Sequence, residues 1–297
     1  MAVKRKETLK LYGKVDLHIH SYFSDGSFSP EEIIRRASIA GLRAISIADH
    51  DNVKAIDPAF QAASVFNIEF IPGIEISARH EDFDLHMLGY FFDHKNQELL
   101  EYIKVFQHER KTRAAKIVER LNDVGVPISI NDVIAKAGEG AIGRPHLVDV
   151  LVEQGYVKSH AEAFEKYLGD QCPTYVPKFK ISPEEAIQII HHAQGLIFIA
   201  HPGLDLNESG VYELIKMGVD GIETIHTRHM PSDTFYYRDI VNKYKLLESG
   251  GSDCHGDRRE DVALGKVDVS YRLVEKMKSR IRELYPNHHL VRSEARE

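Results

Sequence analysis

An α/β barrel of seven strands, interrupted once by a block of helices, is the fold this 297-residue sequence predicts. Three observations carry that expectation. Short β-branched runs alternate with longer helical patterns, which implies parallel strands joined by crossover helices. The alternation lapses only between about residues 96 and 180. At 43% hydrophobic and 28% charged residues, the chain has enough apolar material for one large core.

The strands read, in order, as Val15–His20, Ala44–Ala48, Glu69–Pro72, Asp84–Tyr90, Leu196–Ala200, Gly221–Ile225 and Lys245–Ser249. Ser29-Pro30-Glu31-Glu32 supplies an N-cap, a first-turn proline and a capping-box glutamate, and Gly41 closes that helix. Ser182-Pro183-Glu184-Glu185, closed by Gly195, repeats the pattern. Between them, Gln97–Val124 reads as one long helix stopped by Gly125 and Pro127, followed by Asn131–Ala137, Pro145–Gln154 and Ser159–Leu168. The expected organisation is a barrel from residues 1–95 and 181–297, with 96–180 as a helical insertion.

Composition excludes several classes of function. A formal charge of −7 is wrong for a protein that coats nucleic acid or grips double-stranded DNA, since phosphate neutralisation needs a basic surface. No stretch approaches the ~18 consecutive apolar residues of a membrane span, and Met1–Lys10 is polar, with no secretory apolar core behind its basic residues. Two cysteines make no disulfide framework, so a reducing, cytoplasmic location is expected. Nothing in the sequence fixes the oligomeric state.

Histidine is in excess, at 17 residues, and its placement is informative. Strand one ends in Asp16-Leu17-His18-Ile19-His20, where a period of two puts Asp16, His18 and His20 on one face and Leu17 and Ile19 on the other. Asp49-His50-Asp51 follows strand two, Gly73-Ile74-Glu75 follows strand three, and His86 lies in strand four. Ala200-His201-Pro202-Gly203 ends strand five, His226 and His229 follow strand six, and Ser252-Asp253-Cys254-His255 follows strand seven. In α/β barrels the C-terminal rim of the strands holds the active site. Scattered capping or core histidines would not collect on one rim, so this series reads as a metal site. Nitrogen and oxygen donors without a thiolate cluster suit Zn²⁺, Mn²⁺ or Fe²⁺. Asp16 is expected to hold the far N–H of a ligand imidazole, and Cys254 to pack as a small residue. His191 and His192 diverge by ~100° on a helix and so do not share an ion. His80, His94, His108, His160, His288 and His289 read as solvated surface.

These pieces together resemble the PHP (polymerase and histidinol phosphatase) family of metal-dependent phosphoesterases. Asp16–Ser21, Ser24-Asp25-Gly26-Ser27, Ile47–Asp51, Gly73–Glu75, His86–Tyr90, Ala200–Gly203 and Ser252–His255 occur in family order and span most of the chain. The resemblance implies a distorted (β/α)₇ barrel holding two to three divalent transition metals. His18, His20, Glu75 and Asp253 would take the first ion. Glu75 would bridge to a second held with His86 and His201, and Asp25, His50 and His255 would take a third; some relatives have His in the place of Asp25.

The insertion looks like that of the subgroup acting on 3′,5′-nucleoside bisphosphates and short RNA from the 5′ end. Its marks are Gly143-Arg144-Pro145-His146 opening an insertion helix and Thr227-Arg228-His229-Met230-Pro231 after strand six. The insertion is then expected to form a wall of the substrate cleft. Arg144, with His146 beside it, would grip phosphate in a bidentate fork that Lys cannot imitate. His229 and Lys178 would complete the clamp or supply a proton to the leaving oxygen, and the nucleophile would be a metal-activated hydroxide. Plainer readings pair Arg144 with Asp149 and leave Lys178 as a solvated loop charge. Rival functions are a histidinol or other small-molecule phosphatase, an amidohydrolase (which usually adds a carboxylated lysine where strand four here supplies His86) and a non-catalytic PHP scaffold.

Overall fold

The computed structural model describes residues 13–80, 83–258 and 263–290. Its strands are β1 (Lys14–Ile19), β2 (Leu42–Ile47), β3 (Glu69–His80), β4 (Phe83–Tyr90), β5 (Leu196–Ile199), β6 (Gly221–His226), β7 (Leu247–Gly251) and β8 (Val269–Ser270). The helices of the first half are α1 (Pro30–Ile39), α2 (Ile56–Phe66), α3 (Gln97–Asp123), α4 (Ile130–Ala137) and α5 (Arg144–Glu153). There follow α6 (His160–Ala163) running into a π turn, α7 (Pro183–His192), α8 (Pro202–Asp205), α9 (Glu208–Met217), α10 (Pro231–Tyr244) and α11 (Arg272–Leu284). Ser29 and Ser182 cap α1 and α7 as their sequences require, each side chain accepting the backbone N–H three residues on at 3.2 Å.

The strands form one nearly closed sheet in the order β7-β6-β5-β4-β3-β2-β1-β8. Closure is made by the segment after β7, where the Asp253 and His20 amides donate to the carbonyls of His18 and Cys254 at 2.8 and 2.9 Å. Gly251 permits that approach, because a Cβ there would stand 2.3 Å from His18 Cβ.

Three expectations about the strands are corrected. They are not all parallel: β4 runs antiparallel to both β3 and β5, and the two-residue β8 is antiparallel to β1. Only two residues separate His80 from Phe83, far too few for the crossover that a parallel pair needs. Strand three also continues to His80 instead of stopping at Pro72. Gly73 is no terminator but a close approach, since a Cβ there would meet Ser46 Oγ at 2.1 Å. Strand β1 is irregular as well. It shifts register against β2 between Asp16 and Ile19, and Leu17 and Ile19 join different hydrophobic clusters rather than one face.

The principal core lies between the strands and α1, α2, α7, α9 and α10; a second cluster joins strand residues such as Val15, Leu17 and Phe198 to α11. Helix α3 divides its loyalty. Leu99, Tyr102, Ile103 and Phe106 pack in the barrel core, whereas Ile117, Val118 and Leu121 root a separate cluster with Val133, Leu147, Leu151 and Leu168. No described helix is long and apolar enough to cross a membrane.

Candidate metal centre

Nine side chains from seven separate stretches converge on one end of the barrel, and Glu75 is their hub. Its carboxylate is 1% exposed. One oxygen, Oε1, lies 2.9 Å from His86 Nδ1 and 3.1 Å from His201 Nε2. The other, Oε2, lies 2.9 Å from His50 Nδ1, 3.2 Å from His20 Nε2 and 3.4 Å from His18 Nε2. Asp253 Oδ1 is 3.2 Å from His20 Nε2 and 3.6 Å from His18 Nε2. Asp25 Oδ1 is 3.2 Å from His255 Nε2 and 3.7 Å from His20 Nδ1, and its Oδ2 is 3.9 Å from His50 Nε2.

The reversal of β4 explains how His86 arrives. Ser77 pairs with His86, so the early part of this strand, not its C-terminal end, reaches the rim. His50 leans on Glu75 as well as on Asp25, so it stands between two of the donor groups rather than in the third alone.

The donor set fits divalent cations. His50 Nδ1 and Glu75 Oε2 are 2.9 Å apart and both buried, yet neither makes a hydrogen bond; His255 Nε2 and Asp25 Oδ1 repeat this at 3.2 Å. Nitrogen and oxygen donors crowded at that distance but misaligned for hydrogen bonds suit a shared cation. Burial would raise the carboxyls of Glu75, Asp25 and Asp253, but the imidazoles around them hold all three well below the usual range. Burial would likewise lower His18 and His20. The carboxylates outweigh it, taking His18 well above its ordinary value and His20 to about 9. His86, with less carboxylate contact, is lowered by burial to about 4.

Buried partners fix the donors in place. His18 Nδ1 donates to Glu223 Oε1 at 3.0 Å, which turns Nε2 toward the cluster, and Glu223 Oε2 accepts the His201 amide at 2.8 Å. Glu223, not Asp16, therefore holds the His18 imidazole. Asp16 accepts the backbone amides of Ser252 and Gly265 instead, both at 2.8 Å. Asp49 takes the hydroxyls of Ser21 and Ser24, each at 2.5 Å, and so shapes the turn that presents Asp25. Asp51 reaches across to the insertion, where Arg110 Nη2 donates to it at 2.5 Å and Tyr102 Oη at 3.0 Å. Asp51, His201 and Asp253 hold left-handed backbone (φ 47°, 25° and 57°), strain that concentrates at these strand ends.

Of the expected substrate residues, Arg144 and Lys178 stand within electrostatic reach of each other, while His146 and His229 are each held by a backbone group. Arg144 Nη1 donates to Asp170 Oδ1 at 2.6 Å and to the Leu168 carbonyl at 3.0 Å. Asp149, its anticipated partner, binds Arg258 instead. Lys178 is no solvated loop charge: burial and the nearby charges of Arg110, Arg144 and Arg113 lower it to about 8. His146 is buried, and its Nδ1 accepts the Gly143 amide at 3.0 Å, capping α5. His229 donates from Nδ1 to the Thr224 carbonyl at 3.2 Å, leaving Nε2 buried and without a hydrogen bond.

Sequence reading missed Glu223, Arg110 and Arg113, and left His226 without a role. A glutamate inside the apolar strand Gly221–His226 was a visible signal; Arg110 and Arg113, on a long charged helix, gave none. His288 is also not surface but 2% exposed. Cys254 is buried in the core, as expected of a packing residue.

A PHP-domain profile matches residues 16–168. The chain is 32% identical to the 5′-3′ exoribonuclease Rnm of Escherichia coli K12, over 81% of this chain and 84% of that protein. It is 30% identical to a 3′,5′-nucleoside bisphosphate phosphatase of Chromobacterium violaceum, over 84% and 90%. A solved structure from Bifidobacterium adolescentis, assigned as a metal-dependent phosphoesterase, superposes with a TM-score of 0.84 at 30% identity, covering 90% of this chain and 96% of that one. The chain belongs to the PHP-domain family and is a metal-dependent phosphoesterase.

Proposed function

We propose that this enzyme hydrolyses phosphate esters of nucleotides, removing a phosphate from 3′,5′-nucleoside bisphosphates or trimming short RNA from its 5′ end. The observation that carries this reading is a cationic group on the insertion side, from which Lys178 reaches His86 of the donor cluster electrostatically. Arg113, Arg144 and Lys178 crowd together on the insertion side, and Arg113 Nη2 is buried without a hydrogen bond. A substrate with one phosphate at the cluster and a second anionic group toward the insertion would satisfy both. The relatives named for RNA and for nucleoside bisphosphates support the same class.

His18, His20, Glu75 and Asp253 would hold one ion, with Glu75 shared by His86 and His201 and a further ion at Asp25, His50 and His255. Divalent ions bound there (Mn²⁺, Zn²⁺ or Fe²⁺) would acidify water and neutralise charge on the reacting phosphate. The chain's own part is orientation. Glu223 fixes the His18 ring, Asp49 the Asp25 turn, and the Asp51–Arg110 pair ties the insertion to the rim. Arg144 would exchange Asp170 for the distal phosphate, and Lys178 would add a point charge. Burial lowers His229, so its ring is mostly neutral at pH 7 and Nε2 accepts a proton or a substrate hydroxyl more readily than it donates.

A metal-reconstituted assay comparing 3′,5′-adenosine bisphosphate, 5′-phosphorylated oligoribonucleotides, histidinol phosphate and a generic phosphate ester tests the substrate class. Preference for the last two would overturn it.

A further inference from the structure

His226 stands inside the donor cluster and looks like one more ligand. It is 3% exposed, its Nε2 lies 3.6 Å from Asp253 Oδ2, and with His18 and Asp253 it forms a group close enough to hold an ion. The other ring nitrogen argues against ligation. The Arg228 amide donates to His226 Nδ1 at 3.2 Å. A backbone N–H can only donate, so Nδ1 carries the lone pair and the neutral ring keeps its proton on Nε2. A protonated nitrogen is no ligand.

The turn holding this tautomer is itself anchored. Thr227 Oγ1 donates to the Ser252 carbonyl at 3.0 Å, clamping residues 226–228 to the segment that carries Asp253. Asp253 in turn divides its oxygens. Oδ1 faces His20, His18 and His255 at 3.2, 3.6 and 3.6 Å, while Oδ2 faces His226. The 3.6 Å gap closes to a hydrogen bond with a shift of about half an ångström.

We propose that His226 is not a metal ligand but a positioning residue, whose Nε2–H holds Asp253 Oδ2 and leaves Oδ1 as the single oxygen offered to the cation. This rests on the proposed metal site, because Asp253 needs orienting only if it ligates. It also gives the Thr227-Arg228 pair a use, as the backbone and hydroxyl that set a histidine tautomer.

The test uses the full chain loaded with Zn²⁺, which is diamagnetic. Ring ¹⁵N spectra, with His226 assigned by comparison with His226→Gln, should show its proton on Nε2 and the lone pair on Nδ1 both before and after loading. His226→Leu should bind the wild-type number of Zn²⁺ equivalents at saturation, with affinity weakened about 10-fold, the usual effect of losing a partner to a ligand. His226→Gln, whose amide N–H replaces the donor, should recover most of that affinity. Loss of the Nε2 proton on loading, loss of a whole equivalent in the Leu variant, or equal defects in the Leu and Gln variants would each overturn the inference. Failure of the wild-type protein to bind Zn²⁺ would instead remove the metal-site reading beneath it.

Discussion

Glu75 gives one oxygen to His86 and His201 and the other to His50, His20 and His18, so among the described residues none touches more of the cluster. Replacing it with Ala would separate the two halves of the proposed site and leave cations bound there uncompensated. Glu75→Ala is expected to lower kcat at least 100-fold even with excess metal; near-wild-type turnover at full metal content would refute its bridging role. Glu223→Gln should behave differently, since it loosens the His18 ring without removing a donor. Metal affinity should fall about 10–100-fold while saturating metal restores most of kcat, as titration against a competing chelator would measure. Most of the nine proposed ligands could be read from sequence because they sit near a strand end beside recognisable strand patterns; Glu75 and His86, which lie inside β3 and β4, were marked by the family motifs around them. Glu223 and His226 could not be given roles that way. Their partners, His18 and Asp253, lie on strands that meet them only when the barrel closes, and one backbone hydrogen bond decides what His226 does.

At the level of elements, α3 ties the insertion to the barrel rim, through its apolar first turns and through Arg110. Asp51 is wholly buried and accepts from Arg110, Tyr102 and Ser77. Arg110→Met would strand a buried carboxylate and should destabilise the fold by about 3 kcal/mol or more in urea unfolding; Asp51→Asn in the same chain should recover part of it. Helix α5 presents Arg144, restrained by Asp170. If that fork takes a substrate phosphate, Arg144→Lys should lower kcat/KM about 10–100-fold, about 1.4–2.7 kcal/mol. Metal content should stay unchanged, and the half-exposed Asp170 pair should contribute at most about 1 kcal/mol to stability. Unchanged kinetics on both a bisphosphate and a short 5′-phosphorylated RNA would refute the clamp. Helix ends were legible here because caps and glycines are local signals, and α3, α4 and α5 fall within a residue or so of their expected limits. The direction of β4 was obscured because Pro72-Gly73 imitates a strand end, hiding the long β3 that makes a hairpin inevitable.

Considered as a whole, the molecule closes its barrel around a cluster whose charges are balanced without cations only while its histidines are protonated. His20 is raised to about 9 and His18 well above its ordinary value, against about 6.5 in an unfolded chain. A raised pKa means that the folded, metal-free protein binds protons more tightly than the unfolded chain. That stabilisation is complete below about pH 6.5 and is lost as pH rises toward 9. For His20 alone it is on the order of 3 kcal/mol. The cluster's carboxylates are lowered, so their contribution is already complete above about pH 4.5 and stays constant across this window. Metal held by the proposed ligands would need the same imidazoles deprotonated, so its binding should release protons and strengthen as pH rises. The two effects run in opposite directions. The Tm of the chelator-treated protein should therefore fall from pH 6.5 to 9, and the rise in Tm on adding Mn²⁺ or Zn²⁺ should grow over the same range. Scanning calorimetry at four pH values, with and without metal, measures both. A metal-free Tm that is flat or rises with pH would show that the histidines are not holding the carboxylates together, and a metal-induced rise independent of pH would show that they are not the ligands.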